Sequence, residues 1–137
     1  MAAANTKNFS ISRQAKDRVP ALPFLRMKER VLGKSYDCSL VIIDDVESKR
    51  LNELYRKKTY TPNVLSFPLD KKTGEIMLNM KQARREYKER GMTLTRWTAL
   101  LVIHALLHLK GMDHGSTMEK AEARILAEFA GRGSSSR

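Results

Sequence analysis

The sequence predicts an α+β fold, a small mixed β-sheet of about four strands covered by helices, one of which is buried and carries histidines. Three observations predict it. Segments of strand and helix character follow one another in the order β-α-β-α-β-β-α-α-α along the 137 residues. Two neighbouring strand candidates joined by Asp-Lys-Lys-Thr-Gly read as a hairpin, which breaks the alternation a doubly wound fold would keep. The stretch from Trp97 to Leu109 is almost continuously apolar, so a helix there must be buried around most of its circumference.

Each element has its own signal. Asn8 to Arg13 alternates apolar and polar residues and reads as a short strand. Pro20 and Pro23 introduce a helix that runs to about Leu32 and stops at Gly33. Tyr36 to Ile43 is a strand buried on at least one side. Asp44 or Asp45 caps the next helix, with Val46, Leu51, Leu54 and Tyr55 marking an apolar face to about Arg56. Val64 to Leu69 and Glu75 to Asn79 form the hairpin. Gln82 to Glu89 is polar and helix-favouring, ending at Gly91. Thr93 or Thr95 starts the histidine-bearing helix, expected to lie across the sheet. A last helix spans about Thr117 to Phe129 with Ala121, Ile125, Leu126 and Phe129 inward. One domain is expected over residues 1–130, and the tail Gly-Arg-Gly-Ser-Ser-Ser-Arg, 131–137, is expected to be disordered.

Composition narrows the setting. The longest apolar stretch is about thirteen residues, short of the ~20 a membrane span requires, and Met1 to Asn8 lacks the apolar core of a secretory signal. Cys38 is the only cysteine, which fits a reducing cytosol, and its neighbours Leu40, Val41, Ile42 and Ile43 make it a small buried strand residue. Lysine and arginine outnumber acids 26 to 15, a formal net charge of +11. That balance favours polyanionic partners, and without an amphipathic lipid-binding helix it points to nucleic acid over membrane.

All three histidines fall in one eleven-residue window, His-Ala-Leu-Leu-His-Leu-Lys-Gly-Met-Asp-His. His104 and His108 lie four apart and share a helix face. Gly111 lets the chain turn so that His114 folds back toward them. Three neutral nitrogen ligands with no fourth protein ligand nearby suit a catalytic zinc, one per chain, with an open position for water.

The spacing His-x-x-x-His-x-x-Gly-x-x-His matches that of the metzincin metallopeptidases, but these carry Glu after the first histidine as general base. Here that position is Ala105, which argues against amide hydrolysis. The stretch resembles the YbeY family of bacterial endoribonucleases, whose signature is His-Gly-x-Leu-His-Leu-x-Gly-x-Asp-His. His104, Leu107, His108, Leu109, Gly111, Asp113 and His114 match it, with Ala105 in place of glycine. A second family block appears as Leu51, Asn52, Tyr55 and Arg56, then Thr61, Pro62, Asn63, Val64, Leu65, Ser66, Phe67 and Pro68, with Thr61 and Pro62 in reversed order. The family's Leu-Gly-Asp-Ile strand is represented by Thr73, Gly74, Glu75 and Ile76, after a shortened loop.

The resemblance spans roughly Val41 to Phe129. It implies a metal-dependent endoribonuclease specific for single-stranded RNA, acting in maturation of the 3′ end of 16S ribosomal RNA and in ribosome quality control in the bacterial cytoplasm. Ribosomal RNA and the ribosome are then the implied partners, and DNA is not expected. Arg56 matches the family's arginine, and its planar fork suits a phosphate. Asp113 is a candidate either to orient a ligand histidine or to take part in proton transfer. Lys49, Arg50, Lys57 and Lys58 around Arg56, with Arg84, Arg85, Lys88, Arg90 and Arg96 before the histidine helix, are candidates for a track along the RNA backbone. A zinc-stabilised, non-catalytic RNA-binding or ribosome-assembly factor is the alternative, disfavoured because structural zinc usually has four protein ligands.

Overall fold

The computed structural model describes residues 6–130, so the tail expected to be disordered lies outside the described residues. The elements are β1 (Phe9–Arg13), α1 (Phe24–Leu32), β2 (Asp37–Ile43), α2 (Asp45–Arg56), β3 (Val64–Asp70), β4 (Thr73–Asn79), α3 (Met80–Glu86), α4 (Leu94–Lys110) and α5 (Ser116–Ala130). This is the order the sequence predicts.

The four strands form one sheet in the order β1-β2-β4-β3. β1, β2 and β4 run parallel, while β3 pairs antiparallel with β4 across the hairpin, which makes the sheet mixed. Side-chain alternation divides each strand between two faces. Cys38, Leu40, Ile42, Ile76 and Leu78 join the main core with residues of α1, α4 and α5. Val41, Ile43, Leu65 and Met77 join a smaller cluster with Leu51 of α2. Cys38 is fully buried, and burial pushes its thiol up to about 12, so it behaves as a small core residue.

Local chemistry sets the helix ends. The Asp44 side chain accepts from Glu47 N–H at 2.9 Å and caps α2. Thr93 caps α4, accepting from Arg96 N–H at 3.1 Å. Gly111 ends α4 at φ 106°, where the chain turns sharply and Met112 N–H donates to the Leu107 carbonyl at 3.0 Å. α3 begins two residues before Gln82, where its helix-favouring run starts, because the Asn79 side chain accepts from Gln82 N–H at 3.3 Å and starts the helix directly from β4. It ends at Glu86 and gives way to turns before Gly91.

One expectation about packing is corrected. Val46, Leu54 and Tyr55 of α2 are exposed, Val46 by 77%, whereas Ser48 and Asn52 are buried beside Leu51. The reason is hydrogen bonding. Ser48 Oγ donates to the Pro62 carbonyl at 2.8 Å and Asn52 Nδ2 to the Tyr60 carbonyl at 3.0 Å, so the inward face of α2 holds the loop entering β3.

α4 is the central helix of the main core. Its residues Trp97, Leu101, Val102, Ile103, Leu106, Leu107 and Leu109 are all buried. Near its C-terminal end Leu109 meets Gly74 of β4, where an added Cβ would lie 2.8 Å from Leu109 Cδ2 and 2.6 Å from Tyr36 Oη. Only a residue without a side chain lets strand and helix approach so closely. No helix among the described residues is long and apolar enough to cross a membrane.

Candidate metal centre and cleft

His104 and His108 project from α4 between buried neighbours and are themselves only partly buried. Their Nε2 atoms lie 3.1 Å apart. The turn at Gly111 returns the chain so that the exposed His114 completes the group, with ring centroids 5.0 Å from His104 and 4.6 Å from His108. One ligand atom from each of the three lies within 4.8 Å of the others.

The opposite nitrogen of each helical imidazole has an acceptor. Nδ1 of His108 faces the Met112 carbonyl at 3.0 Å, and Nδ1 of His104 faces Oε2 of Glu122 on α5. A carbonyl or carboxylate only accepts, so each Nδ1 carries the proton and each Nε2 carries a lone pair. Two lone pairs 3.1 Å apart repel unless a cation lies between them. Burial first, and the neighbouring His104 second, lower the pKa of His108 and favour the neutral form that a metal requires. The donor set therefore fits a divalent ion of zinc type.

The group opens on a cleft of about 1000 Å³. α4, the turn after it and α5 contribute the three histidines, Ala105 and Glu122 to its lining, and α2 with the loop and strand that follow contributes Arg56, Tyr60, Asn63, Val64 and Ser66. Arg56 is the last residue of α2, and the αL residue Lys57 (φ 59°) follows it. The N–H groups of Lys57 and Lys58 both donate to the Asn52 carbonyl, and Asn52 itself is fully buried. The helix end bearing Arg56 is thus anchored while its side chain stays exposed to the cleft.

At the far end of α3, the Glu86 carboxylate accepts from Asn63 Nδ2 at 2.9 Å, Gln82 Nε2 at 3.0 Å and Trp97 Nε1 at 3.2 Å, tying the loop entering β3 to α3 and α4. Arg90 lies 4.9 Å above the Trp97 ring and lines the same cleft. The chain belongs to a defined family as well as a fold: the family model described as Endoribonuclease YbeY matches residues 2–130.

This chain is a member of the YbeY endoribonuclease family.

An endoribonuclease YbeY of Pseudomonas entomophila is 36% identical over 106 residues, covering 68% of each chain. One from Stutzerimonas stutzeri is 38% identical over 111 residues, covering 70% of this chain and 69% of its own. One from Carboxydothermus hydrogenoformans is 35% identical over 101 residues, covering 70% and 68%. The solution structure of a Thermotoga maritima protein superposes with a TM-score of 0.62 over 88% of this chain and 87% of its own, at 22% identity, and so shares the fold.

Against this YbeY fold the other candidate residues can be placed. Of the basic residues flagged in the sequence, Arg56 and Arg90 line the cleft. Arg85 forms a bidentate pair with Asp45, Arg50 pairs with Glu47, and Arg84 donates to the Arg18 carbonyl. Asp113 is exposed beside His114, and among the described residues no hydrogen bond joins it to a histidine; its charge only partly offsets the lowering of the His108 pKa by burial and His104. The carboxylate bound to a site histidine is Glu122, which sequence reasoning missed. A signal was present, because Glu122 stands on the inward stripe of α5 set by Met118, Ala121 and Ile125, and an acid on such a stripe requires a partner.

Proposed function

We propose that this chain is a zinc-dependent endoribonuclease specific for single-stranded RNA, acting in maturation of the 3′ end of 16S ribosomal RNA and in ribosome quality control in the bacterial cytoplasm. Residues 1–130 would form its one domain, with one zinc per chain held by His104, His108 and His114. The observation that carries the reading is the convergence of three imidazoles inside a cleft that also admits Arg56. Membership of an endoribonuclease family and a formal charge of +11 support a polyanionic substrate.

When bound, the ion supplies a Lewis acid for the phosphoryl oxygen and makes water a nucleophile near neutral pH. The chain's own residues supply the rest. Glu122 and the Met112 carbonyl hold the helical imidazoles in the tautomer that turns Nε2 toward the site. Arg56 grips the phosphate and stabilises the charge that develops on it, while Asp113, exposed next to His114, serves in proton transfer to or from solvent.

The test is to incubate the zinc-loaded protein with a structured RNA containing single-stranded segments and, in parallel, with a peptide substrate. Metal-dependent cutting confined to unpaired RNA is expected. Binding of the RNA without cutting would make the protein a zinc-stabilised RNA-binding factor, and cutting of the peptide would place it among amide hydrolases.

A further inference from the structure

β3 stands at one edge of the sheet. Asn79 N–H donates to the Asn63 carbonyl at 2.8 Å, and the register continues through Val64↔Leu78, Leu65↔Met77, Ser66↔Ile76 and Phe67↔Glu75 to Pro68↔Gly74. In an antiparallel ladder alternate residues exchange both backbone hydrogen bonds with their partners. Asn63, Leu65 and Phe67 therefore turn their backbone groups toward β4, and Val64, Ser66 and Pro68 turn theirs away from it. Pro68 agrees with this phase, since a proline has no N–H to give the ladder and is tolerated where the strand faces outward.

The start of β3 is a wall of the cleft, since Asn63 to Ser66 and Pro68 line it together with Arg56 and the three histidines, and of these Val64, Ser66 and Pro68 are the ones whose backbone is turned away from β4. The N–H and C=O of Val64 and Ser66, about 6.8 Å apart along the strand, thus run beside the candidate metal centre. An open strand edge is normally blunted by charge or cover, and here a valine and a serine occupy it. The partner must offer acceptors to N–H groups and donors to carbonyls at a regular spacing. A phosphate offers only acceptors. The 2′-hydroxyl of ribose offers the donor, and deoxyribose lacks it.

We propose that the outward backbone edge of β3, at Val64 and Ser66, recognises the sugar-phosphate backbone of single-stranded RNA, the N–H groups donating to phosphate oxygens and a carbonyl accepting from a 2′-hydroxyl. The proposal rests on the RNA-cleavage reading and deepens it. It gives the cleft a reason to prefer one unpaired strand, since a strand edge shared with α4 admits a single backbone, and a reason to prefer RNA to DNA.

Ser66→Pro deletes one outward N–H without removing a β3–β4 hydrogen bond, as Pro68 does two residues on; Ser66→Ala controls for the hydroxyl. With zinc-loaded full-length protein, Ser66→Pro is expected to weaken binding of a labelled single-stranded DNA, read by anisotropy, by ~10-fold or more and to raise KM for the matching RNA similarly with kcat retained, as loss of a hydrogen bond to a charged group implies. Ser66→Ala keeps the backbone N–H, so its loss of affinity is expected to be at least ~5-fold smaller than that of Ser66→Pro, and equal losses in the two overturn the proposal. On the unaltered protein, a scan of single 2′-deoxy substitutions through the RNA is expected to raise KM ~5-fold at one or two positions beside the cut. A natively folded Ser66→Pro that matches the parent in binding and KM, or a flat deoxy scan, overturns the proposal. If Ser66→Pro does not fold, the deoxy scan decides alone. A parent that cuts RNA while these measurements show no change refutes only the edge, whereas a parent that neither binds nor cuts RNA refutes the cleavage reading itself.

Discussion

Oε2 of Glu122 lies 2.5 Å from Nδ1 of His104, linking α5 to α4 at the candidate metal centre. The contact holds one imidazole by its far nitrogen and so aims its Nε2 at the other histidines. Glu122→Ala is expected to weaken zinc affinity or activity by ~10- to 100-fold, the usual cost of losing such a partner, with Glu122→Gln retaining more because its amide oxygen still accepts. Chelator competition measures the affinity and a thermal melt the fold. Unchanged zinc affinity in Glu122→Ala would make the contact a helix-helix tie only.

His108→Ala is expected to lose most of the bound zinc. His108 stands between the other two histidines in sequence and its Nε2 meets that of His104 at 3.1 Å, so its loss leaves an incomplete coordination shell. Elemental analysis of purified mutant and parent gives the answer, and equal zinc in both would refute the assignment. Acidification acts in the same direction, since a protonated imidazole is no ligand. Zinc content and RNA cleavage should fall together as pH drops through the histidine range.

Arg56→Ala is expected to keep the fold and the zinc while lowering RNA cleavage by ~10²-fold or more, comparable to removing one preorganised donor. Arg56→Lys should rescue in part, because lysine keeps the charge and loses the planar fork. Circular dichroism and zinc content on the same preparations separate lost chemistry from unfolding. Cleavage at the parent rate would move the phosphate-binding role to another cation, with Arg90 next in line as a residue lining the cleft.

Asp45 gives the fold an acid-sensitive joint. The Arg85 guanidinium hydrogen-bonded to it, with help from Asn79, holds its carboxyl at about 2, below the ordinary 3.8. A depressed carboxylate pKa means that the unfolded chain binds the proton more readily, so the stabilisation is complete above the ordinary value and is lost as pH falls from there toward 2. Asp45→Asn is expected to cost about 1 kcal/mol at neutral pH, discounted for the exposure of the pair, and to flatten that part of the stability curve. Denaturant unfolding of both proteins at several acid pH values measures it. Parallel curves would show that the pair contributes nothing to acid stability.

The order of elements was readable because strands and helices here carry strong local signals: apolar β-branched runs at Leu40 to Ile43, turn residues after Asp70, and glycine after Lys110. The histidine group was readable because its three members fall within one turn-and-return of chain. What escaped depends on partners distant in sequence. Ser48 and Asn52 point inward on α2 to meet backbone carbonyls of the following loop, and periodicity counts only apolar side chains. Glu122 finds its histidine 18 residues back. The insertion of β4 between β2 and β3 follows from a parallel pairing across α2, which no local pattern encodes.

Gly74 is not itself among the residues lining the cleft, yet its missing side chain sets where Leu109 rests, and Leu109 directly follows His108. Anything larger at position 74 must displace the ends of the Leu109 and Tyr36 side chains, both buried in the core against which the histidine-bearing end of α4 is packed. A genetic screen for inactive variants would therefore recover Gly74 alongside the three histidines, and a reader of that screen would assign chemistry to a residue whose contribution is empty space.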